Sequence, residues 1–237
     1  MYRMILRATA ALLVGAAVQP AKADDTSVCK QATGDEAIAA CSHILTRNQR
    51  DASAYNNRGF AYYNKGDYDR AIADYDQAIR LNSKYAIAYS NRGSAYNSKG
   101  DYDRAIADYG QAIELDPDDA LAYINRGNAW YHKGAYDREF ADYDQAVRLE
   151  PQDARAYVNR GNAWYHKRDY ARAIADYDHA IRLKPNFAHA YETRGEAHEA
   201  TNHRDLALDD FNRALKLDQS LVDARRGRDR MRAALAK

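Results

Sequence analysis

Apolar, small and polar residues in this chain recur at helical spacing, and the whole pattern then recurs. From Ala52 to Leu221 the same order returns every 34 residues, five times. In the first half of a period Tyr, Gly and an aromatic stand at i, i+4 and i+7, one face of a helix, as in Tyr55, Gly59 and Tyr62. In the second half Ala71, Ile72, Tyr75, Ala78, Ile79 and Leu81 gather on one side of another. The pattern predicts a helix pair per period, with Gly and Ala permitting close approach and Tyr rings filling the space beside them. Lys65-Gly66-Asp67 and Lys99-Gly100-Asp101 end one helix with a left-handed Gly and cap the next with Asp. One pair buries too little surface to stand alone, so stability is expected from stacking on neighbours.

The landmarks are regular. Asn-Arg-Gly begins at Asn57, Asn91, Asn125 and Asn159, and Thr193-Arg194-Gly195 continues the series. Tyr55, Tyr89, Tyr123, Tyr157 and Tyr191 precede it; Tyr62, Tyr96, Trp130 and Trp164 follow it, with His198 in the fifth period. Tyr75, Tyr109, Tyr143, Tyr177 and Phe211 mark the second helices, and Pro117, Pro151 and Pro185 close three periods. This arrangement closely resembles the tetratricopeptide repeat (TPR), of a bacterial exported type. The resemblance implies an all-α solenoid of five tandem helix-turn-helix repeats, 52–85, 86–119, 120–153, 154–187 and 188–221. Three positions depart from it. Glu139 replaces the close-packed Ala, which predicts local loosening of the third unit, and Arg168 and Asn202 replace turn glycines.

The flanks read differently. Residues 1–23 carry Arg3 and Arg7, an apolar run from Ala8 to Val18, a break at Gln19-Pro20 and the A-x-A site Ala21-Lys22-Ala23. These are the marks of a signal peptide cleaved after Ala23, and the expected location is periplasmic or secreted. Cleavage removes Arg3, Arg7 and Lys22 and takes the net charge from +1 to −2. Residues 24–51 form an N-terminal helical cap carrying Cys29 and Cys41. In an oxidising compartment the pair is expected to be a disulfide, and it lacks the C-x-x-C spacing of a redox site. Residues 222–237, rich in arginine, read as a C-terminal capping helix with a solvated basic face; contact with an acidic partner is the alternative.

Composition narrows the function. Lys and Arg number 35 against 34 Asp and Glu, without the basic excess of a nucleic-acid binder. After the leader no apolar run approaches the ~18 residues that span a bilayer. No G-x-S-x-G, P-loop, H-E-x-x-H or dinucleotide fingerprint occurs, so the expectation is no catalysis and no cofactor. His132 and His166 are equivalent in adjacent units but have no carboxylate or Cys nearby in register, and no metal site is expected. Arg58, Arg92, Arg126, Arg160 and Arg194 are read as pairing with repeated acids such as Asp74 and Asp108.

The resemblance implies a protein-interaction scaffold whose first helices line a concave groove. Its expected binding residues are Asn57, Asn91, Asn125 and Asn159, with Asn128, Asn162, Phe60, Tyr63, Tyr131, Tyr165, His132, His166 and Arg155; Glu192, Glu196 and Glu199 make the fifth unit acidic. A carboxamide offers both donor and acceptor, so a ladder of Asn suits the backbone of an extended peptide. The chaperone-binding TPR subclass needs Lys where this chain has Asn56, Ser90, Ile124 and Val158. The alternative function is a structural, self-associating component of an envelope assembly, acting through its convex face or its ends.

Overall fold

The structure, a computed structural model, describes residues 24–31 and 33–236; the leader expected over 1–23 lies outside them. Among the described residues there are thirteen α-helices and no strand. Helices α1 (Asp25–Gln31) and α2 (Gly34–Arg47) come first. Five pairs follow: α3 (Ala52–Asn64) with α4 (Tyr68–Leu81), α5 (Ala86–Ser98) with α6 (Tyr102–Leu115), and α7 (Ala120–His132) with α8 (Tyr136–Leu149). The last two are α9 (Ala154–His166) with α10 (Tyr170–Leu183) and α11 (Ala188–Ala200) with α12 (Arg204–Leu217), and α13 (Val222–Leu235) closes the array. Each first helix packs on its own second helix, and each second helix on the next first one.

The glycines inside the first helices set that packing. A Cβ at Gly127 would lie 2.6 Å from Tyr143 Cε1, and one at Gly161 2.5 Å from Tyr177 Cε1, so any larger residue would displace the ring. Ala71, Ala105, Ala173 and Ala207 are fully buried beside these contacts. Between the helices Gly66, Gly100 and Gly134 take φ of +77°, +79° and +70°, and Arg168 and Asn202 hold the same left-handed turn at 61° and 62°. The side chains of Asp67, Asp101 and Asp169 accept from backbone N–H groups three residues on, at Arg70, Arg104 and Arg172.

The expected misfit at Glu139 does not interrupt its helix. Helix α8 runs for the same fourteen residues as its counterparts, although Ala135 gives it no side-chain cap. Glu139 is 1 % exposed and sits within the packed interface. Its Oε1 lies 3.7 Å from His166 Nδ1 on the next unit, and its Oε2 has no hydrogen-bond partner. The misfit shows as an unsatisfied buried carboxylate oxygen in an unbroken helix.

A ladder of ion pairs binds the units. Arg92 donates from Nε and Nη2 to both oxygens of Asp108, at 2.8 and 2.7 Å, and from Nη1 to Asp76 of the preceding unit at 2.5 Å. Arg58, Arg126, Arg160 and Arg194 grip Asp74, Asp142, Asp176 and Asp210 in the same way. The hydrogen bonds to Asp108 hold the Arg92 guanidinium above its ordinary range, while burial alone would lower it. Each guanidinium also lies 5.5–5.6 Å from the centroid of the Tyr three residues earlier, Tyr55 through Tyr191. These arginines are therefore structural, as their periodicity predicts. At the turn edge Lys65, Lys99, Lys133 and Lys167 pair with Asp35, Asp69, Asp103 and Asp137 of the unit before.

The flanks keep the register. Helix α2 lies 34 residues before α4, which puts Cys41 where the units have Tyr75 and Ser42 where they have Asp76. Ser42 accordingly receives Arg58 Nη1 at 3.1 Å. Cys29 and Cys41 stand at disulfide distance, Cα–Cα 4.8 Å, tying α1 to α2 where a ring would otherwise pack. Asp35 lies inside the first turn of α2, which starts on Gly34.

Candidate functional site

First helices of successive units touch one another: α3 meets α5, α5 meets α7, α9 meets α11, and α11 meets α13. Second helices of successive units have no comparable contact. The array therefore curves with its first helices inside, and their free faces form the inner wall. Along each first helix the residues at i, i+3, i+4, i+7, i+10 and i+11 from its second position share that face. For α5 these are Ile87, Ser90, Asn91, Ser94, Asn97 and Ser98.

The predicted asparagines fall into two groups. Asn57, Asn91, Asn125 and Asn159 are all half-buried. Asn91 Nδ2 donates to Asn56 Oδ1 at 3.0 Å, and Asn56 Nδ2 to Asn57 Oδ1 at 3.4 Å. Asn125 and Asn159 make no side-chain hydrogen bond to any described residue, so both carboxamides are free. Asn128 and Asn162 have a structural task as well: their Oδ1 atoms accept from the Tyr143 and Tyr177 hydroxyls at 2.6 and 2.8 Å. Ser94 does the same for Tyr109, while the buried Tyr75 hydroxyl, with Phe60 in that register, has no partner.

The predicted aromatics gather at the turn edge of the wall. Tyr131 stacks on His166 with centroids 4.7 Å apart, and Tyr102 stacks on His132 at the same distance. Tyr63 packs against Tyr68, and Tyr165 against Tyr170. His132 and His166 are thus ring supports, and no group of three or more His, Cys, Asp or Glu among the described residues is placed to hold a metal ion. Arg155 folds back on Asp153, its Nε and Nη2 within 3.1 Å of the carboxylate that caps α9.

The acidic end is narrower than its sequence. Glu192 is buried, accepts from the Ala224 N–H at the start of α13, and is joined by His189 Nδ1. Glu199 is held by Arg230. Glu196 alone of the three has no ion pair or hydrogen bond to a described residue; burial, then the neighbouring Glu192, push its carboxyl up to about 6. It stands in the register of Asn162, but the ring across from it is Phe211, which has no hydroxyl to donate.

Sequence reasoning missed two apolar members of the wall. Ile87 is 58 % exposed and Leu121 52 %, alongside the expected Phe60 at 49 % and Tyr131 at 40 %. Ile87 and Leu121 precede the Asn positions by four residues, and an apolar residue on the face of a free polar ladder was the signal available. No helix among the described residues is long and apolar enough to cross a membrane.

The comparisons agree with this geometry. Family profiles described as TPR repeat or tetratricopeptide repeat match residues 52–85, 74–107, 93–134, 154–187 and 188–221, well over half of the chain. The chain belongs to the tetratricopeptide repeat family. The matched spans leave out residues 135–153, which contain Glu139. No curated protein sequence matches this TPR chain. Among solved structures, MamA is 27 % identical with a TM-score of 0.62, over 68 % of this chain and 95 % of its own. YrrB, described as a TPR protein with an unusual peptide-binding site, is 21 % identical with a TM-score of 0.64, over 81 % and 99 %. The hetero-tetramer Cut9–Hcn1 gives 20 % identity and a TM-score of 0.72, over 83 % of this chain and 39 % of that one. TPR proteins bind other proteins or peptides, and this chain shares that architecture.

Proposed function

We propose that this protein is an exported, non-catalytic TPR scaffold that binds an extended polypeptide segment along its inner wall. The observation that carries the reading is the pair of free carboxamides, Asn125 and Asn159, beside four exposed apolar side chains on the same face. A backbone amide of a ligand presents one donor and one acceptor, which a carboxamide matches at once, while Phe60, Ile87, Leu121 and Tyr131 bury ligand side chains. Such a wall recognises main chain first and sequence second. Export rests on the leader features of residues 1–23 and on a cysteine pair suited to an oxidising compartment.

The test is selection from a random peptide display library, followed by titration of the recovered peptides. Asn125→Ala with Asn159→Ala should weaken binding at least about tenfold, the loss of ~1.4 kcal/mol, with circular dichroism and melting unchanged. Recovered peptides that bind the double variant as well as the parent would refute the ladder. Mass spectrometry of the protein recovered from an exporting host should place its first residue at Asp24.

A further inference from the structure

Among the described residues both ends of the array present an open surface, and the two surfaces are opposite in charge. At the N-terminal end α1 has seven residues, whereas the first helix of every full unit has thirteen. The second half of α2 packs on α3 through Leu45 and Ser42, but among the described residues its side away from α3 is left largely uncovered beyond the start of α1. A cleft of about 920 Å³ lies there, bounded by the start of α1 and by α2 from Glu36 to Asn48. Ile44 shows what is uncovered. It stands in register with Ala78, Ala112, Ala146, Ala180 and Ala214, which are at most 1 % exposed, yet it is half-buried and lines the cleft. Val28 and Ala39 complete an apolar floor, and the rim carries Asp24 and Glu36, beside Asp25, which is already paired with His43 and Arg47.

At the other end α13 is in register as a sixth first helix, 34 residues after α11. Ala224, Gly227 and Met231 bury its inner face against α12. Its outer face carries Val222, Arg225, Arg226, Asp229, Arg232 and Ala233, all exposed and net basic, with Arg226 also paired to Asp223 at its edge. Among the described residues nothing covers it. Asp229 stands where the full units have Gly, so an aromatic-bearing second helix cannot pack there as it does elsewhere. That face suits a charged docking surface better than continued stacking.

We propose that the outer face of α13 docks into the α1–α2 cleft of a second copy of this chain. The occupant is a second copy because each molecule carries both halves, opposite in charge, at opposite ends. Val222 and Ala233 meet the floor formed by Val28 and Ile44, and Arg225, Arg226 and Arg232 meet Asp24 and Glu36. Such a contact is head-to-tail and builds open chains unless its rotation closes a ring. It leaves every inner wall free, so the assembly would present many grooves at once. It goes beyond groove binding and does not depend on it.

Sedimentation equilibrium of the purified protein, expressed as the full chain, tests this. Its mass should rise with concentration at low salt, and association should weaken as the Debye length falls from about 10 Å at 0.1 M to about 3 Å at 1 M. Arg225→Glu with Arg226→Glu and Arg232→Glu should weaken association at least about tenfold, and so should Asp24→Lys with Glu36→Lys. All five positions are exposed, so circular dichroism should be unchanged; Asp24→Lys also removes the acceptor of the Ser27 N–H at the start of α1, and Glu36→Lys alone, which leaves that cap in place, should weaken association in the same direction. Mixing the two variants should restore association, since each then meets an opposite charge at both ends. A wild-type protein that stays monomeric up to millimolar concentration overturns the proposal. So do variants that associate like the parent, a mixture that stays monomeric, or association abolished by Asn125→Ala with Asn159→Ala instead.

Discussion

Arg126 Nη1 points at Gly110 of the preceding unit, and a Cβ built there would lie 3.8 Å away. In the neighbouring rungs the same register holds an acid: Arg92 meets Asp76, Arg160 meets Asp144 and Arg194 meets Asp178. One rung of the inter-unit ladder is missing, and a Gly in the middle of α6 adds its own cost. Gly110→Ala should stabilise the protein by about 0.5–1 kcal/mol through the helix alone. Asp is the poorer helix former, so Gly110→Asp can exceed Ala only if the bridge to Arg126 forms. We expect it to melt higher than Gly110→Ala in dilute buffer, with the gap closing near 1 M salt. Equal melting of the two at low salt would show that the guanidinium gains nothing from a second acid.

The Tyr75 hydroxyl is buried without a partner, while the Tyr143 hydroxyl donates to Asn128 at 2.6 Å. The same substitution should therefore have opposite signs at the two sites. Tyr75→Phe removes a desolvated donor and should raise stability by about 1 kcal/mol; Tyr143→Phe breaks a made bond and should lower it by about as much. Urea midpoints of the two variants decide it.

Glu196 gives the array a pH dependence of unusual sign. Its folded-state value, raised to about 6 from an ordinary 4.5 by burial and by Glu192, means that the folded form holds its proton more tightly than the unfolded chain does. Its contribution is therefore most favourable below the unfolded value and is lost as pH rises through 6. The carboxyl is partly open to water, so the loss is screened to about 1 kcal/mol. Glu196→Gln should recover that amount at pH 7.5 and flatten its share of the slope between pH 4.5 and 6, as read from melting against pH. A cation of a bound peptide placed against Glu196 would do the same without mutation.

The period, the helix pairs and the left-handed turns were legible because each landmark reports a local or nearest-unit constraint. Gly faces a ring, and Arg faces an acid sixteen residues on. The availability of the wall was not legible in that way. Glu192 reads as groove acid but caps α13, thirty-two residues away; Asn128 reads as ligand contact but also satisfies a hydroxyl on the paired helix. Such roles depend on which polar group happens to lie across the interface. Glu139 shows the same limit from the core: its register announces a misfit, but not that the neighbours would close around it with the helix intact.

The cysteine pair sets how the array begins. Helix α1 is too short to hold itself on α2, and Cys41 occupies the place where a Tyr ring packs in every later unit but the last, which has Phe211. The cross-link therefore replaces a ring contact with a covalent one. Closing a loop of twelve residues should contribute on the order of 3 kcal/mol to the cap. Cys29→Ser with Cys41→Ser should lower the melting temperature and open α1 and α2 to hydrogen exchange, while α5 to α12 keep their protection, because a stacked array frays from its ends. Reduction of the native protein should act alike. Exchange that rises uniformly along the array would mean that the cap and the repeats unfold as one unit, and the disulfide would then be a staple for the whole solenoid.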